Sequence, residues 1–136
     1  MGLSQVLVSI LTLALCVLQA SANFHISYMT SPIFSPTRYA ACPSNQYNCN
    51  CFTGLSTPLT TYVAPFGQYF QLASGLCGQN YRMNFYLRSG GFYEFYKENG
   101  NGQSLGKCYD NSGAASVKCL DYTVRDQLVC YSWICG

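Results

Sequence analysis

Apolar and polar residues alternate along a segment near the middle of the chain. The apolar positions are Met83, Phe85 and Leu87, and the polar positions between and beside them are Arg82, Asn84, Tyr86 and Arg88. Successive side chains of a β-strand point to opposite faces, so this spacing predicts a strand with one apolar and one polar face. We expect the apolar face to pack on a core and the polar face to lie in solvent.

Turn-forming residues on either side of a second aromatic segment predict a meander of three antiparallel strands. Ser89-Gly90-Gly91 tolerates positive φ, and the chain then returns through Phe92 to Tyr96. Asn99 to Gly102 is the next reversal signal, and it leads to a third strand from Gln103 to Tyr109. The pairs that a three-residue first loop would form are Phe85 with Phe95, Leu87 with Tyr93, and Arg82 with Glu98.

Further segments outside the meander have the pattern of strands, at 23–29, 67–73, 116–122 and 127–135. The last is apolar at almost every position, which predicts a strand that is central or covered on both faces. Ala41 to Phe52 holds three cysteines among Asn, Ser and Pro, so we expect a stapled loop rather than a helix. No segment downstream of residue 22 has a sustained helical period, although 123–128 could hold one helical turn.

The amino-terminal segment predicts export. Val6 to Leu18 is an apolar run, and Ala20-Ser21-Ala22 has the small-x-small pattern of a signal-peptidase site. The run is short for a membrane span and no basic flank follows it. We therefore predict a signal peptide at residues 1–22 and one secreted domain at residues 23–136. The strand pattern predicts an all-β domain, a disulfide-stapled antiparallel β-sandwich or flattened barrel of roughly six to eight strands.

Cysteine usage supports the same interpretation. Removal of the signal peptide leaves an even set: Cys42, Cys49, Cys51, Cys77, Cys108, Cys119, Cys130 and Cys135. In an exported chain such a set predicts four disulfides, whose pairing the sequence does not define. Cys49 and Cys51 are too close to pair with each other, so we expect each to reach a different distant strand. Zinc sites use paired C-x₂₋₄-C groups, which these cysteines fit poorly, so we predict no metal and no cofactor.

Charge does not favour a polyanionic partner. Seven Lys and Arg against five Asp and Glu give a net charge of +2, and the basic residues form no long stripe. Nucleic-acid binding would need such a stripe along one face. We predict no nucleic-acid partner, no membrane span after cleavage, and a monomer.

Candidate catalytic residues are few. His25 is the only histidine, and a ribonuclease would need it as base, with Glu94 as acid and Arg82 or Arg88 on phosphate. The alternative is a surface histidine near a frayed terminus, whose replacement by Ala would leave stability and activity nearly unchanged. Glu94 and Glu98 could suggest a glycosidase pair, but four residues of strand separate them by about 13 Å. Asp121 and Asp126 look like ordinary loop or edge acids. We predict that the protein is not an enzyme.

Aromatic residues carry the stronger functional signal, because tyrosine combines a flat apolar ring with a hydroxyl group and suits recognition surfaces. Many of the twelve tyrosines are expected to fill the core or cover edges. Tyr86 is different, since its strand neighbours on the same face are polar. The predicted binding residues are Tyr86, Arg88, Arg82, Asn84 and Tyr96.

Two resemblances refine this hypothesis. The signal peptide, the segments ACPSNQYNCNCF and LVCYSWICG, and the aromatic meander resemble small secreted cysteine-rich proteins of filamentous fungi. That resemblance implies secretion and a host or competitor target, but no reaction. We predict a secreted effector-like binding protein with an extracellular protein or glycan as partner; the alternatives are a toxin or enzyme inhibitor and, less favoured, a small hydrolase or ribonuclease. FYKENGNGQ, at 95–103, resembles the folded hairpin of βγ-crystallins and crystallin-like toxins, although Asn101 stands where that motif has an aromatic residue.

Overall fold

A computed structural model of the chain describes residues 22–33, 38–60 and 66–136. Nine strands and three short helical turns lie in these ranges, which confirms the predicted all-β class. The strands are β1 (Ala22–Thr30), β2 (Arg38–Pro43), β3 (Thr57–Pro58), β4 (Tyr69–Leu72), β5 (Met83–Leu87), β6 (Tyr93–Lys97), β7 (Ser104–Asp110), β8 (Val117–Lys118) and β9 (Thr123–Ser132). The predicted signal peptide lies outside the described residues, apart from the backbone of Ala22.

The described strands form one antiparallel sheet that nearly closes into a barrel. Their order is β3-β2-β1-β9-β7-β6-β5-β4, and β8 pairs with the first residues of β9. The two ends of this order meet, because Leu59 and Leu72 form an isolated bridge. The Thr60 amide donates to the Gln71 carbonyl at 2.9 Å, and the Ala73 amide donates to the Pro58 carbonyl at 2.9 Å. Of the two predicted architectures, the barrel therefore describes the sheet.

The predicted meander is confirmed in its turns and in its register. Phe85 pairs with Phe95, and Leu87 pairs with Tyr93. The Arg88 amide donates to the Phe92 carbonyl at 2.9 Å, which closes the three-residue loop, and Gly91 adopts φ 76° there. A residue with a side chain rarely adopts that φ, so the glycine allows the reversal.

Aromatic side chains form much of the core. Phe70 stacks on Phe85 with ring centroids 4.5 Å apart, and Phe85 stacks on Phe95 at 4.8 Å. Phe24 of β1 meets Phe95 edge-on at 5.5 Å, so the stack joins opposite parts of the barrel. All four rings are fully buried. Each contributes about 1.5–3 kcal/mol by leaving water, which makes this stack a main source of stability.

All eight cysteines in the described ranges form disulfides, as predicted. The pairs are Cys42–Cys51, Cys49–Cys119, Cys77–Cys135 and Cys108–Cys130. The expectation that Cys49 and Cys51 both reach distant strands is right in distance for Cys49, whose partner Cys119 directly follows β8, and wrong for Cys51. Its partner Cys42 is only nine residues away, because helical turns bring the chain straight back to the end of β2.

The expectation of an irregular loop over Ala41–Phe52 is wrong in part. Its first residues belong to β2, and Ser44–Gln46 forms a 3₁₀ turn. A π-helical turn at Cys51–Leu55 then follows. The Cys42–Cys51 disulfide joins the strand to this turn, so local cross-linking supports helical turns that the sequence has no periodicity to predict.

Strand β9 also corrects the prediction. It begins at Thr123 rather than Gln127, so no helical turn forms at 123–128, and it ends at Ser132. It is central, between β1 and β7, which confirms the first of the two predicted alternatives, and buried positions alternate with more exposed ones along it. Its pairing with β1 skips Gln127, since Leu128 lies opposite Ile26 while Asp126 lies opposite Ser27. This β-bulge places Asp126 and Leu128 on opposite faces of the sheet, although they are two residues apart.

A single glycine sets the distance between β7 and β9. A Cβ atom on Gly106 would collide with the Tyr131 carbonyl oxygen and lie 2.8 Å from the Ser132 Cβ atom. It would also lie 2.9 Å from the ring of Phe95. Any larger residue would therefore push the two strands apart.

Candidate functional site

Three of the predicted binding residues, Asn84, Tyr86 and Tyr96, lie on the outward face of β5 and β6, where the alternation placed them, and Arg88 directly follows β5. Tyr86 lies opposite Glu94, and Asn84 lies opposite Tyr96. Met83 and Phe85 are fully buried, whereas Tyr86 is 39% exposed. The two faces of β5 are thus as different as the sequence predicted.

Strand β4 adds two residues that sequence analysis missed. Tyr69 pairs with Tyr86, and Gln71 pairs with Asn84. The Tyr69 and Tyr86 ring centroids are 5.2 Å apart, and those of Tyr86 and Tyr96 are 6.0 Å apart. Three tyrosine rings therefore form a row across β4, β5 and β6. The alternating pattern at 67–73 had predicted a strand here, but it could not show that this strand would pair with β5.

Arg88 is fixed at one end of this row. Its Nε donates to the Glu94 carboxylate at 3.0 Å, and its Nη2 donates to the Tyr96 hydroxyl at 2.8 Å. Its guanidinium carbon lies 5.7 Å from the centre of the Tyr96 ring. The Tyr96 hydrogen bond, more than the charge of Glu94, raises the pKa of Arg88. Hydrogen bonds from Tyr96 first, then Ser104 and Arg88, hold the pKa of Glu94 below its usual range.

Amide side chains order the other end of the row. Asn84 Oδ1 accepts hydrogen bonds from the Tyr69 hydroxyl at 3.0 Å and from Gln71 Nε2 at 2.9 Å. Gln71 Nε2 also donates to the Glu98 carboxylate at 2.9 Å. Burial raises the pKa of Tyr69, and the nearby Tyr86 and Glu98 raise it further, so its hydroxyl stays protonated as a donor.

We call this surface the tyrosine face; its members are Tyr69, Tyr86, Tyr96, Asn84, Arg88 and Glu94. A shallow depression of about 430 Å³ lies over part of it and extends to Lys97 and the Asn99–Gly102 turn. Arg82 does not belong to it. Arg82 is exposed just before β5, and its carbonyl accepts from the Glu98 amide at 2.9 Å. The predicted register of Arg82 opposite Glu98 is therefore confirmed. The Glu98 carboxylate, however, accepts its hydrogen bond from Gln71.

A polar cluster around Asp126 overturns two predictions. His25 is not at a frayed end, because it lies within β1 between Cys42 of β2 and Val129 of β9. Asp126 is not an edge acid, because only 2% of its side chain is exposed, against 18% for His25. His25 Nδ1 and the Asp126 carboxylate are 2.6 Å apart.

Further donors surround the same carboxylate. Asn111 Nδ2 donates to it at 2.6 Å, the Ser27 hydroxyl at 3.2 Å, and the Gln127 amide at 3.0 Å. Because the pairing with β1 skips Gln127, the Gln127 backbone amide is not used in the β1–β9 ladder and donates to the Asp126 carboxylate instead. We infer a structural role, since a buried carboxylate requires such compensation.

Tyr47 covers this cluster. Its ring centroid is 4.5 Å from that of His25, and its hydroxyl lies 2.9 Å from Ser27 Oγ. Burial raises the pKa of Tyr47, the Asp126 charge adds to the effect, and the Ser27 hydrogen bond opposes it. The Ser27 hydroxyl bonds to the Asp126 carboxylate and to the Tyr47 hydroxyl. In the relay of hydrolases the serine bonds to the histidine, so this serine, histidine and aspartate do not form that relay.

The residues considered for a nuclease site do not lie together in the structure. His25 lies on β1 and Glu94 on β6, and three strand spacings, about 14 Å along the sheet, separate those strands. Acid and base acting on one phosphate must both reach it by hydrogen bonds. The two carboxylates considered for a glycosidase have different partners, because Glu94 accepts from Arg88 and Glu98 accepts from Gln71.

A second exposed aromatic group lies on β7, on β9 and on the turn that follows β9. Tyr109, Tyr131 and Trp133 are its main members. The apolar pattern of 127–135 predicted that Trp133 lies in a central or covered strand, but Trp133 is 69% exposed. As the only tryptophan of the chain, Trp133 could have been singled out from the sequence. The sequence did not show that β9 ends at Ser132, one residue before it.

Comparisons of this chain with protein-family models, with curated proteins and with solved structures give no match. The described ranges contain no helix of the length and apolarity needed to cross a membrane. The same ranges hold no grouping of three or more His, Cys, Asp or Glu residues suited to a metal ion.

Proposed function

We propose that the chain is a secreted, non-enzymatic binding protein that recognises a neutral glycan through the tyrosine face. The observation that carries this proposal is the row formed by Tyr69, Tyr86 and Tyr96, with hydrogen-bonding groups at both of its ends. A sugar ring presents C–H groups on its faces and hydroxyls on its edges. Aromatic faces carry a negative quadrupole that attracts such C–H groups, and polar side chains beside them can bind the hydroxyls.

Charge balance favours a neutral ligand here. Arg88 is paired with Glu94, so a carboxylate or phosphate would have to compete with an existing partner. The guanidinium at the end of the row is therefore already paired with a carboxylate, which favours recognition by stacking and hydrogen bonds.

The order of this face supports binding rather than accidental exposure. Its side chains are fixed by hydrogen bonds between neighbouring strands before any ligand arrives. Fixing them in advance reduces the conformational entropy lost on association. A preorganised, exposed aromatic surface is typical of recognition sites.

Action outside the producing cell is supported by the disulfides. Four of them are present in the described residues, and such bonds persist mainly in oxidising compartments. The predicted signal peptide and the resemblance to small secreted fungal proteins agree with that location. An effector-like role toward a host or competitor surface follows as part of the proposal.

Isothermal titration with cellohexaose, laminarihexaose and chitohexaose tests this function. We expect at least one of them to bind, and Tyr86→Ala to weaken that binding about 30-fold, the effect of removing a central anchor. Tyr86→Phe should keep most of the affinity because it keeps the ring. Leu55→Ala, an exposed apolar residue outside the face, is the control and should have no effect.

Two results would overturn the proposal. One is that none of these glycans binds the folded protein. The other is that a glycan binds equally well to the wild type and to Tyr86→Ala. If a purified extracellular enzyme were instead bound and inhibited, with loss on Tyr86→Ala, the inhibitor alternative would replace the glycan-binding function.

A further inference from the structure

We propose a second binding site, on β7 and β9, for an anionic glycan whose sugar rings carry carboxylates. Its core is Tyr109, Tyr131, Trp133 and Lys107, and it lines a shallow depression of about 560 Å³. The site shares no lining residue with the depression over the tyrosine face. It goes beyond the proposed function, and it stands or fails independently.

Trp133 is exposed on a fixed backbone. The Ser132 hydroxyl bonds to Asn23 at 2.9 Å and accepts from the Ile134 amide at 3.2 Å. The Cys135 amide donates to the same Asn23 side chain at 2.8 Å, and Cys135 is cross-linked to Cys77. Ile134 is buried. The large apolar ring of Trp133 is therefore held in water by a rigid turn, which is the arrangement of a preorganised contact rather than of a frayed end.

Aromatic neighbours extend the platform. The Tyr109 and Tyr131 ring centroids are 6.0 Å apart, and Phe92 lies 5.8 Å from Tyr109. These rings come from the β6, β7 and β9 side of the barrel, where Lys107 pairs with Tyr131. They provide stacking area for more than one sugar ring along the sheet.

Lys107 gives the site its charge. None of the seven lining residues is acidic, and Lys107 is the only basic one. Its amine lies 5.1 Å from the centre of the Phe92 ring. The nearest carboxylates in sequence or register are engaged elsewhere, because Glu94 accepts from Arg88 at 3.0 Å and Asp110 accepts from the Ser112 amide at 3.0 Å. A ligand carboxylate would complement this cation, in contrast to the balanced charges of the tyrosine face.

The fluorescence of Trp133 tests the site in the unmodified protein, since the chain has one tryptophan. The probes are an oligogalacturonate and its fully methyl-esterified form, which has the same sugar backbone without negative charge. We expect the acidic probe to shift the emission to shorter wavelength and to bind at least tenfold more tightly than the ester. That preference should shrink as the salt concentration rises from about 0.01 to about 0.15 M.

Variants separate the contributions. Trp133→Ala, followed by titration calorimetry, should weaken acidic-probe binding tenfold or more, and Lys107→Met should abolish the preference over the ester. Leu120→Ala, an almost fully exposed apolar residue at the other end of β9, is the control and should bind normally. Tyr86→Ala should also leave acidic-probe binding unchanged, which separates this site from the tyrosine face.

Three results would overturn the inference. They are equal binding of acid and ester, an unchanged affinity in Trp133→Ala, and binding of phosphatidylserine vesicles without binding of the oligosaccharide. The last result would identify the surface as a membrane contact. Each variant's circular dichroism spectrum, matched to wild type, ensures that lost binding reports on the site rather than on the fold.

Discussion

Replacement of Asp126 by Asn should destabilise the protein strongly, although the two side chains have nearly the same shape. The carboxylate is buried and receives donors from His25, Asn111, Ser27 and the Gln127 amide. An amide has one oxygen, so its NH₂ group would face two of these donors. If the NH₂ group replaced Oδ2, His25 and Asn111 would lose their acceptor. If it replaced Oδ1, Ser27 and the Gln127 amide would lose theirs.

The magnitude follows from those bonds. A hydrogen bond to a charged group contributes about 1.5–3 kcal/mol, and a buried donor left without a partner costs about 1–3 kcal/mol. His25 can move its proton to the other ring nitrogen, which relieves one of the two conflicts. We therefore expect a loss of about 2–4 kcal/mol, a large part of the 5–15 kcal/mol that stabilises a typical domain.

Equilibrium unfolding in guanidinium chloride, with the disulfides intact, measures this loss. The control is Asp121→Asn, which removes the charge from an exposed acid just before β9 and should change stability by less than about 0.5 kcal/mol. Equal stability of Asp126→Asn and this control would contradict a stabilising role for the buried carboxylate. His25→Ala should lose about 1–2 kcal/mol, because its bond to the carboxylate disappears while the other donors remain. An unchanged stability would restore the idea of a dispensable surface histidine.

Three other predictions test separate parts of the structure. Peptide mapping of the secreted, unreduced protein should recover the Cys49–Cys119 and Cys77–Cys135 links, and free thiols at these positions would contradict the fold. Gly106→Ala should destabilise the domain by about 1–3 kcal/mol through overpacking between β7 and β9, whereas Gly113→Ala, with open space around it, should be tolerated. The hydrogen bond from Tyr96 is the main cause of the lowered pKa of Glu94. The stability that ionised Glu94 contributes is therefore present above the ordinary glutamate pKa and is lost as pH falls through the lowered pKa. Tyr96→Phe should raise the Glu94 midpoint measured by carbon-13 NMR, and an unmoved midpoint would contradict the hydrogen bond.

The meander was predictable because its information is local. Alternation assigned Met83 and Phe85 to the core, and Gly91 allowed the reversal that set the β5–β6 register. The outward positions of Asn84, Tyr86 and Arg88 followed from the same period. Four disulfides followed from composition, but their pairing depended on where distant strands met.

The Asp126 cluster and the exposed tryptophan were not predictable in this way. His25 and Asp126 are 101 residues apart, and a bulge that skips Gln127 decides which face the aspartate occupies. Trp133 is exposed because Asn23, more than a hundred residues earlier, bonds to Ser132 and Cys135 and shapes the turn after β9. Contacts of this kind arise from strand order, which the pattern of apolar positions does not encode.

Amide chemical-shift mapping tests the central claim most directly. A nitrogen-15-labelled sample of the domain would be titrated with the neutral hexasaccharide that binds best in calorimetry. The account predicts that the largest shift changes fall on Asn84, Tyr86 and Tyr96, with those of Leu76–Gly78, on another side of the barrel, unchanged. Saturable changes confined to residues outside the tyrosine face, or none at any concentration of the glycan, would contradict it.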